Sequence, residues 1–176
     1  MSTSVPAIAV YLVPAIAGAI GLSACFRANV VFALLALPGT VAHELLHWIA
    51  GLVSFARPEG LSVIPRRLPD GRYQLGSATF ANVRWWNAAI VSLAPLAGYP
   101  LACAVAAIRL RNGWAFHPYD LVIWFSLAQL TFASWPSLTD WHLALRSWPM
   151  LALGGLLAWW GDWHTLFGAA LHPYLQ

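Results

Sequence analysis

Residues 37–52, LPGTVAHELLHWIAGL, set His43, Glu44 and His47 into a stretch that is otherwise as apolar as a membrane span. Imidazole and carboxylate groups are costly to hold in hydrocarbon, and inside an apolar helix they mark function by default. The three residues form an HExxH pattern. With six His in the chain and Glu only at positions 44 and 59, chance produces this pattern on the order of 0.002 times, which offsets the false-positive risk of a short motif. Residues four apart on a helix lie about 40° apart on one face, so His43 and His47 can grip one ion. Glu44, next to the first histidine, is placed to reach a water on that ion. Zinc lowers the pKa of such a water towards about 7, and a carboxylate base then makes it a nucleophile. The plainer alternative is three polar groups hydrogen-bonded within a helix bundle.

Around this stretch the chain is 60% hydrophobic and 9% charged over 176 residues, against about 25% charged in soluble domains. That composition predicts an integral membrane protein. All nine basic residues are Arg, scattered without a basic run or an aromatic platform, so no nucleic-acid partner is expected. Cys25 and Cys103 lie in apolar segments and read as buried thiols. A spanning helix needs about 20 apolar residues, and five stretches qualify: 5–26, 30–55, 86–108, 121–141 and, interrupted by glycines, 148–171. The first lacks a basic n-region and reads as a retained helix, not a cleaved signal.

Residues 61–80 differ in character. Leu61, Val63, Tyr73 and Leu75 follow the strand period of two on either side of a Pro-Asp-Gly turn, which predicts a β-hairpin. The expected fold is therefore all-α integral membrane, a single membrane domain over 1–176 with about five transmembrane helices and a β-hairpin between the second and third. Six of the nine arginines (57, 66, 67, 72, 84 and 146) fall on the hairpin side, which orients that side to the cytoplasm. The expected setting is a multi-pass protein in the plasma membrane of a prokaryote, with the lipid bilayer as a partner.

A catalytic zinc takes three protein ligands and keeps one open position. SWPSLTDWHLAL offers Asp140 and His142, and WWGDWHTLF offers Asp162 and His164. The second and fourth stretches run in the same direction, and Asp140 closes the fourth at a depth comparable to His43 and His47. Topology therefore favours Asp140. His142 lies about 200° from it on a helix, so the two cannot share one ion unless Pro136 unwinds the segment. His142, Asp162 and His164 stay open as alternatives.

HELLH in an apolar helix, a hairpin region after it, APLAGYP at 94–100 and PSLTD at 136–140 together resemble the site-2 protease family of intramembrane zinc metalloproteases. The resemblance covers about residues 37–145. It implies Zn2+ held by His43, His47 and Asp140, with Glu44 as general base. It also implies an endopeptidase that cuts in or near the transmembrane segments of another membrane-spanning protein. Ala94 and Gly98 stand where the family's Gly-Pro-x-x-Asn helix has Gly and Asn, and Trp141 follows Asp140 in place of Gly. The family's substrate-positioning Asn thus has no match there, and Asn82 and Asn87 are the candidates left. The hairpin edge, Tyr73, Gln74, Leu75, Gly76 and Ser77, is expected to take an unwound substrate segment as an added strand. A non-proteolytic zinc site, structural or for transport, is the rival reading.

Overall fold

The computed structural model describes residues 4–24, 30–69, 71, 73–111 and 113–171, with side chains up to Gly161 apart from Val30. Cys25, Arg27, Asp70 and Arg72, and the side chains of Asp162 and His164, lie outside the described residues.

Helix α1, Val5–Ala24, buries Tyr11, Ala15, Ala19 and Leu22, a stripe at the i, i+4, i+8, i+11 spacing of one helix face. Its other faces present Val5, Val10, Val13, Ile16 and Ile20 to the exterior. The stripe packs on α5, Gly98–Leu110, and α6, Tyr119–Ala133. Tyr11, Ala15, Ala102, Ala106, Leu127 and Ala128 form the buried cluster between them. Small residues let the backbones approach closely: a Cβ added at Gly18 would sit 3.0 Å from the Ala128 Cβ.

One end of this trio is tied by charge. The buried Asp120 carboxylate accepts from Tyr11 Oη at 2.7 Å, Arg109 Nε at 2.8 Å, Arg109 Nη2 at 2.9 Å and the His117 amide at 2.8 Å. A buried carboxylate needs this full set of donors. Asp120 and Ala133 mark the two ends of α6, about 20 Å apart at the helical rise.

The stretch 30–55 forms a short α2, Val30–Leu35, and a longer α3, Leu37–Val53. Pro38 supplies no N–H to continue the ladder, so the helix turns at Ala36. The Gln129 carboxamide of α6 repairs the gap. Its Oε1 accepts from Gly39 N at 3.3 Å and its Nε2 donates to Leu35 O at 3.0 Å, serving two groups that would otherwise pair with each other. Gly39 permits the approach, since a Cβ there would lie 2.7 Å from Gln129 O.

The segment after α3 forms two short antiparallel sheets and not one continuous hairpin over 61–80. β1, Pro58–Ser62, pairs with β4, Ser77–Phe80; nested beyond them, β2, Arg66–Arg67, pairs with β3, Tyr73–Gln74. Pro65 removes a ladder donor on one side, and Leu75 and Gly76 leave the ladder on the other. The wider pair rests on α3, where a Cβ at Gly51 would collide with the Phe80 ring. Phe55 and Arg57 in the connection adopt φ of 55° each.

The expectation of about five transmembrane helices in an all-α integral membrane fold is overturned. Among the described residues one helix, Val5–Ala24, is long and apolar enough to cross a membrane, a test that a buried core helix or a signal sequence also passes. The count reaches two only if Tyr119–Ala133 and Leu138–Gly161, bent by 55° at their junction, act as one span. Proline explains the failures. The stretch 86–108 divides into α4, Ala88–Ser92, a 3-10 turn over Ala94–Ala97 containing Pro95, and α5. The stretch 121–141 ends at Ala133, opens through Pro136, and restarts as α7, Leu138–Ala144. The last stretch is helical as α8, Trp148–Leu171.

Gln129→Leu keeps the shape of the side chain while leaving the Leu35 carbonyl and the Gly39 amide unpaired. Each buried, unpaired group costs about 1–3 kcal/mol, so equilibrium unfolding should show a destabilisation in that range or up to twice it. An unchanged unfolding midpoint would mean that the carboxamide does not hold the break.

Candidate metal centre

The site forms where α3 crosses the broken ends of its neighbours. His43 and His47 lie one turn apart on α3, with ring centroids separated by 4.6 Å and planes at 80°. His43 Nδ1 is 2.6 Å from the Ala133 carbonyl oxygen at the end of α6, and His47 Nδ1 is 2.7 Å from the Val91 carbonyl oxygen of α4. A carbonyl only accepts, so each Nδ1 carries the hydrogen and each ring turns its Nε2 inward. Those two Nε2 atoms face one another at 3.0 Å.

Asp140 completes the group. Its Oδ1 lies 3.3 Å from His47 Nε2 and its Oδ2 lies 3.6 Å from His43 Nε2. One ligand atom from each residue falls within 4.8 Å of the others. Two lone pairs and a carboxylate converging on one point repel each other, and a cation among them reverses the sign of that interaction. The three side chains form a group that can hold a metal ion.

Asp140 owes its aim to the start of α7. Ser137 is the N-cap, and its Oγ accepts from Asp140 N at 3.2 Å. In return Asp140 Oδ2 accepts from Ser137 N at 2.7 Å and from Ser137 Oγ at 2.6 Å. This reciprocal capping box anchors Oδ2 and leaves Oδ1 towards His47.

Glu44 is 6% exposed and makes no hydrogen bond among the described residues. The strand connection covers it. A Cβ built on Gly76 would lie 2.6 Å from Glu44 Oε1, 2.8 Å from its Cγ and 2.8 Å from Thr40 Cγ2. Only a glycine lets the backbone come this near. The histidines, Glu44, Asp140 and the whole segment Tyr73, Gln74, Leu75, Gly76 and Ser77 line one cleft of about 590 Å³. Phe32, Phe80, Phe132, Trp135 and Leu143 give it an apolar wall.

Other expected residues lie elsewhere. His142 is exposed and outside the ligand group. Asn82 and Asn87 do not line the cleft but brace the loop before α4. Asn87 Nδ2 donates to Ser54 O and Asn82 O, and its Oδ1 accepts from Arg84 N; Asn82 Nδ2 donates to Phe55 O. Sequence reading missed Ser137, although Ser-x-x-Asp before an apolar run is a legible capping signal. The orienting carbonyls of Val91 and Ala133 carry no side-chain signal at all.

No protein-family model, curated protein or solved structure matches the chain. Chemistry at the site therefore carries the functional reading.

Cobalt(II), titrated into purified protein and followed by its ligand-field absorption, should bind with one equivalent per chain. His47→Ala and Asp140→Ala should abolish that binding, while His142→Ala should leave it intact. Retention by Asp140→Ala together with loss in His142→Ala would reassign the third ligand.

Proposed function

We propose that this chain is a membrane-embedded, zinc-dependent endopeptidase that hydrolyses peptide bonds in or near the transmembrane segments of other membrane proteins. One observation carries the reading: an HExxH helix and an aspartate converge their ligand atoms at the floor of an apolar cleft, with a buried, unbonded glutamate beside them. The chemistry of the donor set favours zinc. Two imidazole nitrogens and one carboxylate make a catalytic ligand set, and ligands 2.0–2.1 Å from a tetrahedral ion are about 3.3 Å apart. The observed separations of 3.0, 3.3 and 3.6 Å bracket that figure.

Zinc bound here would act as a Lewis acid, acidifying a water and polarising a peptide carbonyl. The chain's own groups supply the rest. Glu44 takes a proton from the attacking water on a carboxylate oxygen and passes it to the nitrogen of the leaving amine. Tyr73–Gln74 and the unladdered Leu75 and Gly76 offer an edge on which an extended peptide can lie across the site. That requirement matters because the amide of a helical segment is already hydrogen-bonded and shielded. The apolar wall suits a hydrophobic substrate segment.

Membrane embedding is supported by the outward side chains. Val5 of α1 is 80% exposed, Val53 of α3 is 73% exposed and Leu156 of α8 is 62% exposed, among many large apolar residues on the outer faces. A patch of that extent signals a lipid or protein partner. Broken helices are tolerated at membrane depth where they line a cavity, and Val91, Ser92, Ala133 and Pro136 at two of these breaks line the cleft. A closed structural zinc site would need a fourth protein ligand, and the group found among the described residues has three.

Glu44→Gln keeps size and polarity but cannot take a proton. It should retain zinc while cleavage of a membrane-segment reporter falls by about 10²- to 10⁴-fold, the usual effect of removing a general base. Asp140→Ala should lose zinc and cleavage together. Normal cleavage by Glu44→Gln would end the protease reading.

A further inference from the structure

The two carbonyls that hold the histidine rings each lack the amide four residues on, and in each case a proline stands at the break. A helical carbonyl ordinarily accepts from the N–H four residues on. For Val91 that residue is Pro95, which has no N–H. For Ala133 it is Ser137, whose N–H is already given to Asp140 Oδ2 at 2.7 Å, and the residue three on, which could close a tighter turn, is Pro136. Each carbonyl thus lacks the amide four residues on that an unbroken helix would give it, and each accepts from a histidine Nδ1, at 2.7 Å for Val91 and 2.6 Å for Ala133. A buried acceptor deprived of its helical donor takes another, and here that donor is the imidazole N–H.

We propose that Pro95 and Pro136 are positioning residues that fix the Nδ1–H tautomer and the aim of His47 and His43 respectively. Neither proline touches the reacting atoms. Each acts by withholding an amide hydrogen from a carbonyl, which then holds an imidazole ring. The proposal rests on the metal-centre reading for its purpose, but the tautomer itself is a property of the protein without metal. It also gives the helix breaks a role in the site: an unbroken helix through either position would satisfy its own carbonyl and release the ring. Hydrogen-bond partners of this kind, one shell out from a metal, set ligand orientation and affinity together.

Substitution by Ala separates this role from a structural one. The Pro95 neighbourhood is already helical, with Ala97 and Gly98 in the right-handed region, so Pro95→Ala fits the backbone and restores an N–H towards Val91 O. Pro136→Ala offers an N–H three residues on from Ala133. The experiment uses full-length, purified protein labelled with ¹⁵N in its histidine rings, at a pH where the rings are neutral. In the metal-free wild type, His43 and His47 should each show a single Nδ1–H tautomer. Pro95→Ala should convert His47 to a mixture of tautomers, and Pro136→Ala should do the same for His43.

Zinc affinity, read by competition with a chelating dye, should fall about 10- to 100-fold in each variant, with no drop in the metal-free melting temperature. Pro100→Ala, in α5 and away from both carbonyls, is the control and should change neither reading. Retention of a single Nδ1–H tautomer in both variants would overturn the proposal, whatever happens to affinity. So would affinity lost only in step with melting temperature while the tautomers hold. Wild-type protein that fixed its tautomers yet bound no zinc would remove the metal reading and leave the prolines' effect on the rings standing.

Discussion

Two short hydrogen bonds organise this molecule: His43 to the Ala133 carbonyl and His47 to the Val91 carbonyl. They fasten α3 to α6 on one flank and to α4 on the other, so the groups that form the site also join the elements around it. Everything near the site is arranged to make those bonds possible. α3 stays unbroken from Leu37 to Val53, which keeps both rings on one face. Its neighbours are interrupted at the same level, which exposes carbonyls that an intact helix would keep for itself. The capping box of α7 then adds Asp140 from the third side.

Much of the site was legible because its chemistry is written in side chains. HExxH marked His43 and His47, two members of the group that can hold a metal ion, and the direction of the apolar stretches favoured Asp140, the third. The architecture was less legible for a definite reason. Hydropathy reports whether a residue is apolar, but helix continuity depends on a donor at every fourth step, and Pro38, Pro95 and Pro136 each withhold one. Long apolar runs were therefore read as spans where the chain turns, unwinds and restarts. The strand segment shows the same effect on a smaller scale. Its period-two pattern marked Leu61 and Tyr73, while Pro65 and Gly76 split the ladder into two sheets. The carbonyls of Val91 and Ala133 were beyond side-chain reading altogether.

The other end of the molecule obeys a different rule. Tyr11, Arg109 and the His117 amide saturate Asp120, while Ala15, Ala102, Ala106 and Ala128 bring α1, α5 and α6 close without large side chains. The filled polar knot lies about 20 Å along α6 from Ala133, and the small-residue contacts run from it towards Gln129. Distance of this order lets the two regions respond independently to substitution. Gln129 stands between them, facing the break at Ala36, where its carboxamide replaces a missing rung of the helix ladder.

The close seat of Gly76 on Glu44 sets a direction as well as a distance. The space that a Cβ on Gly76 would occupy is held by Glu44 Oε1 and Thr40 Cγ2, so the strand connection crowds one side of the carboxylate. Glu44 opens onto the cleft that it shares with the two imidazoles. In the proposed reaction that placement makes the carboxylate a carrier between the attacking water and the leaving group. A proton taken from the attacking water would be held on the cleft side, where the departing nitrogen collects it.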